Sequence, residues 1–395
     1  MTDQPTPSPV STGDHAAAPV IPGTEASRSP YRGRARRNFW KPAVGTRQPD
    51  SMLEVYQRRY EIAPTDRIAT AGSCFAQHIS RYMRRNGYRV MDLEPAPREV
   101  PAQIAHQYGY GVYSARYGNI YYVRQLLQLA REALAGLEPA EPVWARDGRY
   151  YDAQRPSVEP DGLESPGLVL EHRRRHLEQV REMLTTADVL VFTMGLTEGW
   201  EHVVSGTVYP TAPGTIAGDF DPEVYAFRNF TVAEVHADFA AFRELAHRHN
   251  PGLRFLLTVS PVPLAATATD ANAMVATTYS KAVLRAAAGQ LYAEFEDVDY
   301  FPSYEIITAG PGAGRFFAPG LRDVTAEGVD TVMGYFFAEH PPAATSADAT
   351  IAPATPTTAA TGEPADGTAG PVAGAQSASG EELFCEEALL EAFGS

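Results

Sequence analysis

Ser73 is the residue of this chain best placed to act as a nucleophile. It follows a short apolar run, Arg67-Ile68-Ala69-Thr70-Ala71-Gly72, and precedes residues 75–86, whose spacing is helical and which Gly87 ends. A hydroxyl at such a turn lies at a helix N-terminus, where unpaired N–H groups can stabilise a developing oxyanion. Its chemistry would be attack on an acyl carbon. Gly-Ser before a helix equally fits an N-cap, so cap and nucleophile both stand. Three more polar clusters follow apolar runs. Gly195-Leu196-Thr197-Glu198-Gly199-Trp200 offers a close-approach glycine, a hydroxyl donor and a carboxylate, and it also fits a solvent-facing helix start. Ser260-Pro261-Val262-Pro263 reads as a rigid turn, and Tyr300-Phe301-Pro302-Ser303-Tyr304-Glu305 as core aromatics or a ligand platform.

A serine nucleophile needs a base. Of ten histidines, His78 lies five residues after Ser73 on the same helix, and His202 follows Glu198 by four. His106 falls in an aromatic loop, and His172, His176, His236, His247 and His249 fall in polar helical stretches that read as surface. The only cysteines are Cys74 and Cys385. Their number and spacing suggest neither a disulfide framework nor a zinc site. Cys74, one residue into the helix, is expected to point into the core. Neither a metal nor an organic cofactor is expected.

The elements that must position these residues alternate along the chain. Strands are expected at 67–72, 88–93, 188–193, 255–262 and 298–307, and helices at 75–86, 121–134, 168–186, 232–249, 272–288 and 325–338. Asp147-Gly148 marks a hairpin turn. Residues 201–229 read as an insertion with one hairpin at Ser205-Gly206. Such alternation predicts an α/β fold, a mostly parallel sheet covered by helices on both faces. Ligands in such sheets sit at the C-terminal strand ends, where the four polar clusters fall.

Composition bounds the rest. Of 395 residues, 44% are hydrophobic and 21% charged, as in soluble globular proteins. A net charge of −15 disfavours nucleic acid and acidic membranes as partners. No apolar run reaches membrane-spanning length, and the N-terminal residues lack a secretory pattern, so a cytoplasmic location is expected. Residues 1–30 read as a disordered leader, 31–340 as the folded domain and 341–380 as a low-complexity linker. Residues 381–395 form an acidic tail whose Phe384, Leu389, Leu390 and Phe393 suit a small docking helix. The sequence leaves the oligomeric state open.

Taken in order, Gly72-Ser73-Cys74-Phe75-Ala76, Tyr117-Gly118-Asn119-Ile120-Tyr121, Gly195-Leu196-Thr197-Glu198, Thr258-Val259-Ser260-Pro261-Val262 and Tyr300 to Glu305 resemble the GSCFA family. Ser280-Lys281 fits the pattern as well, and so does the acidic tail around Cys385-Glu386-Glu387. That family is grouped with the SGNH (GDSL-like) hydrolases. The resemblance implies a flavodoxin-like, three-layer α/β/α fold with Ser73 in the nucleophile's place. Gly195 and Thr197 then stand where related enzymes line the oxyanion hole, with Thr197 in place of an asparagine. Asn119 is a further donor, and Glu305 a further substrate-binding candidate. The Asp-x-x-His motif usual in SGNH enzymes falls on Gly320-Leu321-Arg322-Asp323, without its aspartate or histidine in place. Three explanations stand: His78 or His202 substitutes, a carboxylate (Glu198, Asp323 or Glu305) is the base, or the pocket only binds. The resemblance therefore implies an ester hydrolase or acyltransferase for an acylated carbohydrate or similar small substrate, against the alternative of a noncatalytic binding module.

Overall fold

The structure, a computed structural model, describes residues 29–342, the backbone of Ala375–Gln376 and Glu382–Leu383, and Leu389, Leu390 and Phe393. Most of the expected leader, linker and tail lies outside the described residues.

The centre is a parallel sheet of four strands, β1 (Ile68–Gly72), β4 (Val189–Met194), β8 (Arg254–Val259) and β9 (Val298–Tyr300), in the order β1-β4-β8-β9. Residues 88–93, expected as a strand, contribute a single parallel bridge, Val90 to Ile68, outside β1. With that bridge the strand order is 2-1-3-4-5, the flavodoxin-like arrangement. Every residue of β4 is buried. Leu190, Phe192 and Met194 join the core on one face, while Val189 and Val191 join the core on the other. That two-residue alternation, with both sides apolar, marks a strand covered on both faces.

One face carries α3 (Val123–Ala135), α4 (Pro166–Thr186), α5 (Val232–His249) and α6 (Ala273–Glu294). The other carries α1 (Phe75–Arg85), α7 (Ser303–Thr308) and α8 (Ala326–Glu339), and a short α2 spans Ala102–Gln107. Local chemistry fixes the helix starts. Thr231 and Glu234 form a reciprocal capping box on α5, and Thr325 Oγ1 accepts the Gly328 N–H of α8 at 3.2 Å.

Three sequence expectations are corrected. The strand expected at 298–307 stops at Tyr300, and Ser303–Thr308 is helical. Pro302, which has no N–H for the ladder, separates the two. The insertion holds more than one hairpin: β5 (Glu198–His202) pairs with both β6 (Val208–Tyr209) and β7 (Tyr225–Asn229). With the hairpin β2 (Val143–Arg146) and β3 (Arg149–Asp152), it encloses a small aromatic core of Trp144, Tyr151, Tyr209 and Tyr225. His176, expected at the surface, is 1% exposed, because α4 is buried along Arg173 and His176 as well as along Val180 and Met183.

Candidate active site

The Gly72-Ser73 turn follows from two steric facts. Gly72 has φ +137°, and a Cβ there would stand 2.4 Å from the Thr193 carbonyl oxygen, so only glycine fits. The Ser73 N–H then donates to that same oxygen at 3.1 Å, extending the β1–β4 ladder by one bond. Cys74, not Ser73, takes the N-cap position of α1, with no side-chain cap. Ser73 Oγ is buried and makes no hydrogen bond to any described residue, so the capping role does not hold. The Cys74 side chain is buried in the core.

Two loops close around this hydroxyl. The first carries Asn119, which is 1% exposed. The Tyr113 hydroxyl lies 2.5 Å from Asn119 Oδ1 and 3.0 Å from the Ser73 carbonyl oxygen, so one proton serves two acceptors. Gln77 Nε2 reaches the same Oδ1 at 3.5 Å, which assigns that atom as the amide's acceptor. The Ile120 N–H donates to Gly72 O at 2.9 Å, holding the loop against the end of β1.

The second loop is the Gly195 turn. Its Gly195 and Leu196 N–H groups both donate to Tyr121 O at 3.0 Å, tying it to the first loop. A Cβ on residue 195 would meet Ser73 Cβ at 2.8 Å and Ser73 Oγ at 3.4 Å. From α6, Ser280 Oγ accepts the Thr197 N–H at 3.0 Å, while Lys281 Nζ donates to Gly195 O at 2.5 Å. Consecutive helix residues of opposite hydrogen-bonding sense thus clamp the two ends of one turn. Thr197 Oγ1 donates to Asn229 Oδ1 at 2.7 Å. A family model for the GSCFA family matches residues 67–336. The chain belongs to the GSCFA family. No match was found among curated proteins.

The Asn119 and Gly195 segments therefore meet beside Ser73, with Ser280-Lys281 behind the Gly195 turn, but no described side chain bonds the Ser73 hydroxyl. The Gly195 and Thr197 amides, both expected at the oxyanion, are engaged within the protein, and so is the Ser73 amide. His78 is buried on α1 with its ring 5.7 Å from that of Phe75. His202 Nδ1 is taken up in the β5–β6 turn by the Ser205 N–H and hydroxyl. Glu198 accepts from Thr267 Oγ1 at 2.7 Å and from the Ala268 N–H at 3.1 Å. Glu305 pairs with Arg285 and accepts from the Tyr300 hydroxyl at 2.9 Å, in a cavity sharing no residue with the one Glu198 lines. Asp323 is half-buried just before α8, and its backbone carbonyl accepts the Ala318 N–H at 2.9 Å. Among the described residues no cluster of His, Cys, Asp or Glu is arranged to hold a metal ion.

Sequence reading missed the supports: Tyr113, Gln77 and the Tyr121 carbonyl. Behind the Asn119 loop it also missed a buried ion network. Arg173 pairs with Asp152 at 2.9 Å and with Glu132, and Arg155 pairs with Asp152 at 2.7 Å. Arg155 Nη1 also donates to Arg116 O at 3.0 Å, and the Arg116 N–H to Glu94 Oε2 at 2.6 Å, so the network grips the loop's backbone. His176 Nδ1 lies 2.7 Å from Glu94. Burial, with Arg155 nearby, brings His176 down to about 4. Burial pushes Glu94 up, but His176 and Arg155 outweigh it and bring Glu94 down to about 2. At neutral pH the pair is a neutral imidazole donating to a carboxylate.

Proposed function

We propose that this GSCFA chain is an SGNH-like serine ester hydrolase or acyltransferase, acting in the cytoplasm on an acylated carbohydrate or similar small substrate. The observation that carries the reading is the Ser73 hydroxyl, buried without a partner beside a glycine whose lack of a side chain leaves it room. A buried polar atom without a partner is unusual in a native protein and calls for a role. Ser73 Oγ attacks the acyl carbon, and the leaving alcohol departs with a proton. Water or an acceptor alcohol then takes the acyl group from Ser73. The Asn119 side chain, tied through the Tyr113 hydroxyl to the Ser73 carbonyl, is assigned as the oxyanion donor. His78, reached through a water, is assigned as proton acceptor, with Glu198 and Asp323 as the carboxylates to compare. Glu305 is engaged with Arg285 and is assigned to the substrate's surroundings, not to proton transfer. The net charge of −15 favours a small-molecule partner over nucleic acid or membrane.

A second reading is supported by the same geometry. No described base bonds Ser73 Oγ, and three backbone donors are engaged, as in a pocket that binds a ligand without turning it over. Turnover on a panel of small acetyl esters, including acetylated sugars, separates the two. The enzyme reading expects hydrolysis that Ser73→Ala lowers by about a thousandfold or more, with folding unchanged. Saturable binding without hydrolysis by the wild type selects the binding module.

A further inference from the structure

Behind the Asn119 loop lies a cavity of about 10 Å³, whose walls include Tyr117, Ile120, Gln154, Arg173 and His176. Three polar atoms of these residues, Gln154 Nε2, Arg173 Nε and His176 Nε2, are buried and bonded to no described residue. The residues are 8%, 4% and 1% exposed, so bulk solvent does not satisfy them. The surrounding bonds fix what each atom can do. The Val208 N–H donates to Gln128 Oε1 at 2.8 Å, so Gln128 Nε2 is that amide's donor, and it gives a proton to Gln154 Oε1 at 2.8 Å. Gln154 Nε2 is therefore a donor as well. Arg173 commits Nη1 to Asp152 and Nη2 to Glu132, which leaves its Nε–H over. His176 gives its Nδ1 proton to the Glu94 carboxylate at 2.7 Å, so its Nε2 is bare and accepts.

We infer that this cavity binds one water molecule, which accepts from Gln154 and Arg173 and donates to His176. The chemistry excludes the other small occupants. A halide could take the two protons but would face the His176 lone pair. Ammonium could serve His176 but would face two N–H donors, and ammonia has a single lone pair for both. Of these, water alone brings two lone pairs and a proton. A cavity of this size holds one such molecule, and buried waters typically make about three hydrogen bonds to groups otherwise unsatisfied. The water joins α4, through Arg173 and His176, to Gln154 just after β3. Tyr117 and Ile120 in the same walls belong to the loop that carries Asn119, so the bound water completes the packing behind that loop. The inference does not depend on the hydrolase reading, because the water is located without chemistry.

The test uses the full-length chain, in crystals and in solution. Electron density should show one peak within about 2.7–3.2 Å of Gln154 Nε2, Arg173 Nε and His176 Nε2. Soaking the crystals in bromide should leave that position without anomalous signal. In solution at pH 7, proton–nitrogen correlation spectra should give His176 as the Nδ1–H tautomer, its signal assigned by its loss in His176→Gln. Magnetic relaxation dispersion of water oxygen should count one fewer long-lived water in Gln154→Leu than in the wild type. An empty cavity, a bromide peak or an Nε2–H tautomer overturns the inference, as does an unchanged water count in a folded Gln154→Leu. The wild-type readings decide it even where that variant fails to fold. An absence of ester hydrolysis bears on the hydrolase reading alone.

Discussion

Gly195 approaches Ser73 so closely that a Cβ on the glycine would stand 2.8 Å from the serine's own Cβ. The same atom would lie 2.9 Å from the Tyr121 carbonyl oxygen, which is backbone and cannot swing aside. Gly195→Ala therefore forces the two site loops apart. Overpacking of this kind costs about 1–3 kcal/mol. Urea unfolding should show the midpoint lowered by a corresponding amount, and any labelling of Ser73 should weaken with it.

Ser280 acts on the same turn through one bond. Its hydroxyl accepts the Thr197 N–H, and both residues are buried. Ser280→Ala leaves that N–H buried without an acceptor, a loss of about 1–3 kcal/mol. Equilibrium unfolding measures it, and a change below about 0.5 kcal/mol, the size of an ordinary surface substitution, contradicts the clamp.

Arg173 holds two buried acids, Asp152 and Glu132. Burial raises Glu132 despite Arg173, whereas Asp152 is brought down because Arg173 and Arg155 together outweigh its burial. Arg173→Met leaves Asp152 with half its compensation and should cost about 3–5 kcal/mol. Adding Glu132→Gln should recover part of that loss. Thermal and urea unfolding of the two variants give the comparison.

The buried histidines set the acid limb of stability. Burial brings both His176 and His340 from 6.5 to about 4, each with arginines nearby. Unfolding lets them take up protons at pH values where the folded protein cannot. Their stabilising contribution is thus complete above about pH 6.5 and is lost as pH falls toward 4. Glu94, at about 2 in the fold against 4.5 unfolded, extends the same loss from pH 4.5 downward. For His176 the full effect is about 3 kcal/mol. Unfolding free energies at pH 7, 5.5 and 4.5 should fall in that order, and His176→Gln should flatten the decline.

The sheet was legible because apolar runs such as Val189–Met194 admit few other structures, and the turn serine because glycine and a helix start flank it. The segment 298–307 misled because its aromatics fit a strand and a buried helix equally, and only Pro302 hinted at the break. His176 misled because α4 is rich in arginine, and nothing in its periodicity shows that Glu94 waits 82 residues away. The site's supports were unreadable for the same reason. Tyr113 lies 40 residues from Ser73 and Lys281 lies 86 from Gly195, and sequence spacing does not encode a hydrogen bond across such distances. Family likeness pointed to Ser280-Lys281 as a segment, but only the fold shows that it clamps a turn.

The central claim is that Ser73 is an activated nucleophile. Its most direct test is labelling of the full chain with a fluorophosphonate probe, read by peptide mass spectrometry, with Ser73→Ala and a known esterase as controls. The account predicts an adduct on the peptide containing Ser73 in the wild type and none in Ser73→Ala. An unlabelled, folded wild type beside a labelled control would contradict it and leave the binding module as the better description.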